Sequence, residues 1–199
     1  MIDAVDWKAF RRAERDRLLA ARRTIGAAER ERLTAVLARQ LDAAVPPQPG
    51  RALGLYWPIK GEIDIRAWAE AFAARHAMTL ALPVVVEKAA PLEFRAWAPG
   101  DAMERGFWNI LVPAVRTVVV PAVVIAPLVG FQAAGTWRLG YGGGYFDRTL
   151  ASLAPRPCAV GLGLDDAELA TIHPQPHDVP MDVLVTESRM LSAAQSFSR

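Results

Sequence analysis

The sequence predicts an α/β fold: a mostly parallel central sheet with helices on both faces, preceded by N-terminal helices. Three observations carry this expectation. Apolar, strand-like runs alternate with segments of helical periodicity, the pattern of βα units. One run, "PAVVIAPLVGF" (Pro121 to Phe131), is apolar without alternation, as in a strand buried on both faces. A glycine-rich segment, "LGYGGGYFDRTL" (Leu139 to Leu150), stands between strand and helix patterns. Open α/β sheets place their ligands there, beyond the carboxyl ends of the strands.

From Trp7 to Ala44, helix formers carry apolar residues at helical spacing: Phe10, Leu18, Leu19, Ile25, Leu33, Val36, Leu37 and Leu41. Gly26 divides this stretch into two helices. "VPPQPG" (Val45 to Gly50) is a stiff linker. "ALGLYW" reads as a strand, "IDIRAWAEAFAARH" as an amphipathic helix, and "MTLALPVVV" and "LEFRAW" as strands. "PAVVIAPLVGF" is a further strand, followed by a loop, the glycine run and a short helix from Tyr145 to Leu153. "CAVGLGL" and "MDVLVTE" are two more buried strands, and the tail "SAAQSFSR" reads as frayed. No internal repeat or low-complexity segment interrupts this order.

Composition narrows the class. The chain has 199 residues, 52% of them hydrophobic and 22% charged, enough to bury a sizeable core and unlike a disordered chain. The formal net charge is only +2, a weak argument for a nucleic-acid partner. Positive charge gathers near the N-terminus at Lys8, Arg11, Arg12, Arg15, Arg17, Arg22 and Arg23, where a solvated helix face is the ordinary reading. Glu14, Asp16, Glu29 and Glu31 are interleaved with that charge and argue against an RNA-gripping surface. Cys158 is the single cysteine, so no internal disulfide forms, and its strand context suits an inert thiol. The first residues lack the apolar core of a secretory signal. Pro121 and Pro127 break the longest apolar run, which therefore reads as sheet and not as a membrane span. A cytoplasmic protein without membrane or nucleic-acid partner is the expectation.

The glycine run raises the chemical question. Four glycines fall within five residues, Gly140 to Gly144, although glycine is entropically costly to order. A tight turn needs only one or two such positions. Glycines opening a helix let a phosphate approach the backbone N–H groups, and the helix dipole adds to the attraction. Arg138 suits bidentate contact with phosphate oxygens. Asp147, in the first helical turn, suits a magnesium ion on that phosphate. A P-loop is excluded because no Lys-Ser/Thr pair follows the glycines. The dinucleotide fingerprint fails because Tyr145 occupies the third glycine position, even though Asp165 lies at a superficially suitable distance.

"RLGYGGGYFDRTL" resembles the signature of the 5-formyltetrahydrofolate cyclo-ligase (methenyltetrahydrofolate synthetase) family, close to R-L-G-x-G-x-G-[YF]-Y-D. Four further segments resemble the family in order: "RRAERDRLLAARRTIGAAER", "LYWPIKGEIDIRAW", "FWNILVPA" and "IHPQPHDVPMDVLVTE". The resemblance implies one domain spanning 1–199, with the 1–44 helices packed on it, and a fold shared with ribose-5-phosphate isomerase and CoA-transferase families. It implies a monomer that uses ATP and Mg²⁺ to convert 5-formyltetrahydrofolate to 5,10-methenyltetrahydrofolate, releasing ADP and phosphate. By the same resemblance, ATP is bound by Arg11, Arg15, Arg138, Leu139, Gly140, Tyr141, Gly142, Gly143, Gly144, Tyr145 and Phe146. Lys8 with Arg12 is the other register for the N-terminal pair. The folate is bound by Glu62 with Tyr141, Gly142, Gly143, Gly144 and Tyr145, while Trp57 and Trp108 serve either as ring walls or as core. Arg138 and Tyr145 are the catalytic candidates, and Asp147 with Asp178 the metal ligands. For Trp7, Trp68 and Trp97, packing is the expectation.

Three departures from the family pattern stand out: Gln132 replaces an acidic residue, Trp137 lengthens the preceding loop, and Phe146 replaces a second tyrosine. They motivate a second reading, a nucleotide- or folate-binding relative that no longer turns over. His173 and His177 do not make a zinc pair, because Pro174 and Pro176 preclude the helix that would align them. Asp165 and Asp166 are expected to cap a short helix, "AELA", and Asp182 to cap the turn before its strand.

Overall fold

The computed structural model describes residues 6–192. Asp6 caps the first helix by accepting from the Lys8 and Ala9 N–H groups at 3.0 and 3.1 Å. That helix, α1, spans Trp7–Arg23, and α2 spans Ala27–Ala44, with Gly26 as the extended N-cap between them. There follow β1 (Ala52–Gly54), α3 (Arg66–Arg75), β2 (Thr79–Val84) and β3 (Glu93–Trp97). Next come β4 (Met103–Arg105), β5 (Leu111–Pro113), β6 (Pro121–Pro127), β7 (Gly130–Gln132) and β8 (Trp137–Leu139). The chain closes with α4 (Tyr145–Ser152), β9 (Cys158–Leu162), β10 (Val183–Val185) and β11 (Met190–Ser192).

Seven strands form the main sheet in the order β11-β10-β9-β6-β1-β2-β3. The pairs from β10 through β2 are parallel, whereas β3 and β11 are antiparallel edge strands. β6 lies in the middle and alternates between two cores. Val123 and Ile125 join Leu33, Leu37 and Leu41 of α2 and Phe72 of α3 on one face. Val124 and Ala126 join Leu18 of α1 and Leu150 of α4 on the other. Helices therefore cover both faces, which is why β6 carries no polar alternation.

Several sequence expectations are corrected. The apolar run does not continue as one strand to Phe131. β6 stops at Pro127; Val129 then donates its N–H to Leu139 O at 2.8 Å, and β7 pairs with β8 in a separate hairpin. The glycine run thus follows a hairpin arm and not a strand of the main sheet. β1 is three residues long, ending before "LYW". The β4–β5 ribbon was not signalled by any alternating pattern; its strands have three residues each. "AELA" forms no helix: Asp165 to Ala167 make a single 3-10 turn whose N-cap is Leu164, so neither aspartate is its cap. Asp182 instead ties strands together, accepting from Ala159 N–H at 2.7 Å and pairing with Arg156 at 2.8 Å. Ser192 belongs to β11, and the rest of the tail, 193–199, lies outside the described residues.

Candidate active site

The site is built around the glycine run at the carboxyl edge of the sheet. α1 supplies the first cations. Arg11, Arg15 and Arg22 share one helical stripe with the buried Leu18, so the face that docks on the sheet is itself basic. Arg11 and Arg22 are buried, contrary to the solvated reading; Lys8, Arg12, Arg17 and Arg23 are exposed as expected. Arg15 Nε donates to Gly140 O at 2.7 Å and its guanidinium stands against Gly142. Burial, then the neighbouring charges of Arg11 and Arg138, lower the Arg15 pKa. Such crowding of like charge favours an anion between them.

Arg138 comes from β8 and turns inward, 6% exposed. Nη1 donates to Pro127 O at 3.2 Å, at the end of β6, and Nη2 pairs with Asp147 at 2.9 Å. Its Nε is buried and has no hydrogen-bond partner among the described residues. A methyl group at Gly140 would collide with Nη1, so this glycine exists to let the guanidinium fold back under the loop. Gly144 caps α4 in the left-handed region (φ 65°), a conformation that costs glycine little. Arg148, one turn into α4, donates back to Gly143 O and lies 5.0 Å over the Tyr145 ring. Arg15, Arg138 and Arg148 therefore converge on one loop and one helix N-terminus. The glycines accommodate these side chains as well as any ligand, a role the sequence reading had given to phosphate alone.

A buried carboxylate stands beside this cationic loop. Glu62 is 8% exposed; Oε2 accepts from Ile59 N–H at 2.8 Å and Oε1 from the Tyr141 hydroxyl at 2.7 Å. Burial pushes the Glu62 pKa up, although both hydrogen bonds and Arg22 pull against it. Burial and then the charge of Glu62 push Tyr141 up as well. Tyr141 also accepts from Arg22 Nη1 at 3.1 Å, and Lys60 Nζ lies 5.4 Å over its ring. A cavity of about 20 Å³ opens beside Glu62, lined by Arg22, Tyr56 and Leu128. Arg22 and Arg148 had been given no site role from sequence. The signal for Arg22 was present: it recurs on the stripe of Arg11 and Arg15.

Tyr145 opens α4, its hydroxyl accepting from Ala89 N–H at 3.2 Å and its ring meeting Trp108 edge-on at 5.4 Å. Trp108 is 65% exposed and, with Asn109, takes positive φ (53° and 63°). An exposed indole on strained backbone is a presented surface and not core. Trp57 is different: it packs against the core, edge-on to Trp97 at 6.3 Å, with Arg66 4.0 Å over its face. The structure does not bring it to the glycine run.

Both metal-ligand candidates are held by arginines. Asp147 pairs with Arg138 and accepts from Val179 N–H at 3.3 Å, which places the Asp147 carboxylate beside the Asp178 segment. Asp178 pairs with Arg11, which also donates to Ile172 O at 2.7 Å and His173 O at 3.0 Å. Burial alone would raise the Asp178 pKa, but hydrogen bonds from Arg11 and Gln175 N–H outweigh it and hold it low. Among the described residues no group of three or more His, Cys, Asp or Glu side chains could hold a metal. Asp147 and Asp178 are each paired to an arginine, so they could hold a magnesium ion only alongside oxygens that a ligand brings. Both ends of the Gln132 amide are engaged, Oε1 accepting from Ile172 N–H at 3.1 Å and Nε2 donating to Ala134 O at 2.8 Å. Phe146 lies under the Arg138 guanidinium, 5.3 Å away.

Guanidinium groups around a glycine loop, beside a buried carboxylate at a sheet's carboxyl edge, form an arrangement in an α/β protein that could hold a polyanion next to a hydrogen-bond donor. Comparison with known proteins narrows this class. The profile of the 5-formyltetrahydrofolate cyclo-ligase family matches residues 7–187, and the chain belongs to that family. A 5-formyltetrahydrofolate cyclo-ligase of Mycolicibacterium smegmatis is 30% identical over 156 residues, 72% of this chain and 77% of that protein. Among solved structures, the Aquifex aeolicus 5,10-methenyltetrahydrofolate synthetase superposes with a TM-score of 0.76 at 26% identity, covering 92% of each chain. The Mycoplasma pneumoniae 5,10-methenyltetrahydrofolate synthetase shares the fold, with a TM-score of 0.70 at 22% identity over 88% of this chain and 97% of that one.

Proposed function

We propose that this protein is a working ATP-dependent cyclo-ligase that converts 5-formyltetrahydrofolate to 5,10-methenyltetrahydrofolate. One observation carries the reading: Arg15, Arg138 and Arg148 surround the glycine loop, while the buried Glu62–Tyr141 pair stands beside it. The cations suit nucleotide phosphates. Glu62, an acceptor when ionised, suits the N–H groups of a pterin, and Trp108 and Tyr145 offer ring faces to it or to the benzoyl group.

The formyl oxygen is a poor leaving group. Transfer of the γ-phosphoryl group of ATP to that oxygen releases ADP and corrects this. The anilino nitrogen then attacks the formyl carbon, its proton is lost, and phosphate departs with the former formyl oxygen as the ring closes. The protein's part is alignment and charge neutralisation. Arg138, with an unpartnered Nε, stabilises charge on the moving phosphoryl group, and Tyr145 positions the folate over the loop. Arg15 and the loop amides from Gly140 to Tyr145 hold the remaining phosphates. Arg11 acts one step back, fixing Asp178 and the 172–173 carbonyls. Asp147 and Asp178 would hold Mg²⁺, which supplies charge neutralisation at the phosphates when bound.

The same reading takes the chain as a single domain spanning 1–199, monomeric and cytoplasmic, with small-molecule partners only. No helix among the described residues is long and apolar enough to cross a membrane. The test is direct. Purified protein is mixed with 5-formyltetrahydrofolate, ATP and Mg²⁺, and the near-ultraviolet absorbance of the methenyl product is followed. A rise that requires all three supports the reading; no rise, with both ligands bound, refutes it in favour of a relative without turnover.

A further inference from the structure

A second recess lies outside the residues discussed so far. It is a groove of about 470 Å³ at the carboxyl end of β2, lined by Val84 to Val86 on one side and by Arg95, Glu104, Arg105, Phe107 and Arg116 on the other. Its charges do not cancel. Arg95 is buried and paired with Glu93 at 2.9 Å and with Glu104 at 3.6 Å, so the one lining acid is spoken for. Arg105 and Arg116 make no ion pair among the described residues and are exposed. Arg105 Nη1 donates to the Asn109 carbonyl at 3.4 Å, so two guanidiniums that no acid neutralises among the described residues line a recess whose apolar walls, Val86 and Phe107, are themselves half-exposed (50% and 46%).

The groove is linked to the site through Phe107, which lines it and precedes Trp108 in the chain. Phe107 meets Trp108 at 6.0 Å, and Trp108 meets Tyr145 at 5.4 Å. A path of rings thus runs from the glycine loop into the groove, and Glu62 stands at its far end through Tyr141. A folate has the matching polarity along its length: a pterin with N–H donors, a flat benzoyl ring, then glutamyl carboxylates. We propose that this groove receives the glutamyl carboxylates of the substrate, with Arg105 and Arg116 as their cationic partners and Phe107 and Val86 as walls for the glutamyl stem. The inference rests on the cyclo-ligase reading above, which supplies the substrate. The charge surplus chooses an anion, and the ring path chooses the anion covalently attached to the ligand of the neighbouring site.

The test uses the full chain and the Arg105→Gln/Arg116→Gln variant, with Arg39→Gln, on the exposed face of α2, as a charge-change control. Both replaced arginines are exposed, so folding is retained and is checked by circular dichroism. The double variant is expected to raise KM for 5-formyltetrahydrofolate about tenfold, leaving kcat and KM for ATP unchanged. With a substrate truncated to the benzoyl carboxylate, lacking glutamate, wild type and variant should have equal KM. The wild-type KM for the intact substrate should also rise with ionic strength, as expected for exposed charges. An unchanged KM with intact substrate, or an equal loss with the truncated one, overturns the assignment. Absence of methenyl formation by the wild type refutes the cyclo-ligase reading itself, and is seen before any variant is compared.

Discussion

Replacing Arg138 with methionine tests whether the Arg138–Asp147 pair holds the fold, serves the chemistry, or does both. The side chains are 4% and 13% exposed, so solvent screens the pair little. Removal leaves the Asp147 carboxylate with the Val179 N–H, at 3.3 Å, as its remaining donor among the described residues. Stripping one partner from a buried ion pair costs about 3–5 kcal/mol. For a chain of this length each kcal/mol shifts the midpoint by roughly 2–4 °C, giving an expected drop of about 6–20 °C. Thermal unfolding followed by circular dichroism reads it. The double variant Arg138→Met/Asp147→Leu removes the stranded charge and should recover most of that stability. It should not recover turnover, which is expected to stay about 10²–10³-fold below wild type because phosphoryl charge has lost its donor. A midpoint shift below about 2 °C for Arg138→Met refutes the burial reasoning. Recovery of both stability and turnover in the double variant refutes the catalytic assignment.

Three further outcomes are expected. Gly140→Ala sets a methyl against Arg138 Nη1 and should lower kcat/KM about 10²-fold by displacing the guanidinium, measured by the absorbance assay; wild-type kinetics would show that the loop has room to spare. Arg15→Gln should raise KM for ATP while leaving KM for the folate near wild type, since Arg15 touches the loop and not Glu62; a change confined to the folate KM would reverse the two subsites. Glu62→Gln tests a sign. Burial raises the Glu62 pKa, so between the ordinary carboxylate range and the folded-state pKa the folded chain binds this proton more tightly than the unfolded chain. The contribution of Glu62 to stability is therefore fully present below the ordinary carboxylate range and declines as pH rises towards the folded-state pKa. Denaturant unfolding between about pH 4 and 7 should show wild type losing ground relative to Glu62→Gln as pH rises, together with a weaker folate KM in the variant. A constant difference across that window contradicts the raised pKa.

Much of the fold was legible because local patterns and the global sheet agree. Gly26 separates α1 from α2, and the unbroken apolar character of Val123 to Ala126 announces a strand with helices on both sides. What misled was contiguity. Phe131 follows an apolar run, yet it belongs to a hairpin, since Pro127 ends the sheet strand and Val129 turns its N–H to Leu139. β4 and β5 escaped notice because three-residue strands carry too few alternations to register. In the candidate site, the glycine run with Arg138 was legible as a motif, whereas Glu62 was suggested only by the resemblance of a separate segment. Arg22 was passed over as solvated, although its spacing from Arg15 and Leu18 put it on the docking stripe.

The sequence by itself determined the class of fold and marked the glycine run with Arg138 as the phosphate-binding candidate, because each is encoded within a short window by periodicity or by glycines. Only the tertiary structure decided which cations are free and which are committed. Arg11 is consumed by Asp178 and two carbonyls, Arg138 is shared between Asp147 and Pro127 O, and Arg15 meets the loop without an acid. Only the folded chain also separates Trp57, packed under Arg66, from Trp108, held out to solvent on strained backbone. The states of Arg11 and Arg15 depend on partners more than a hundred residues away, Asp178 and Gly140. No local pattern records such a contact, because charge pairing and burial are properties of the packed chain.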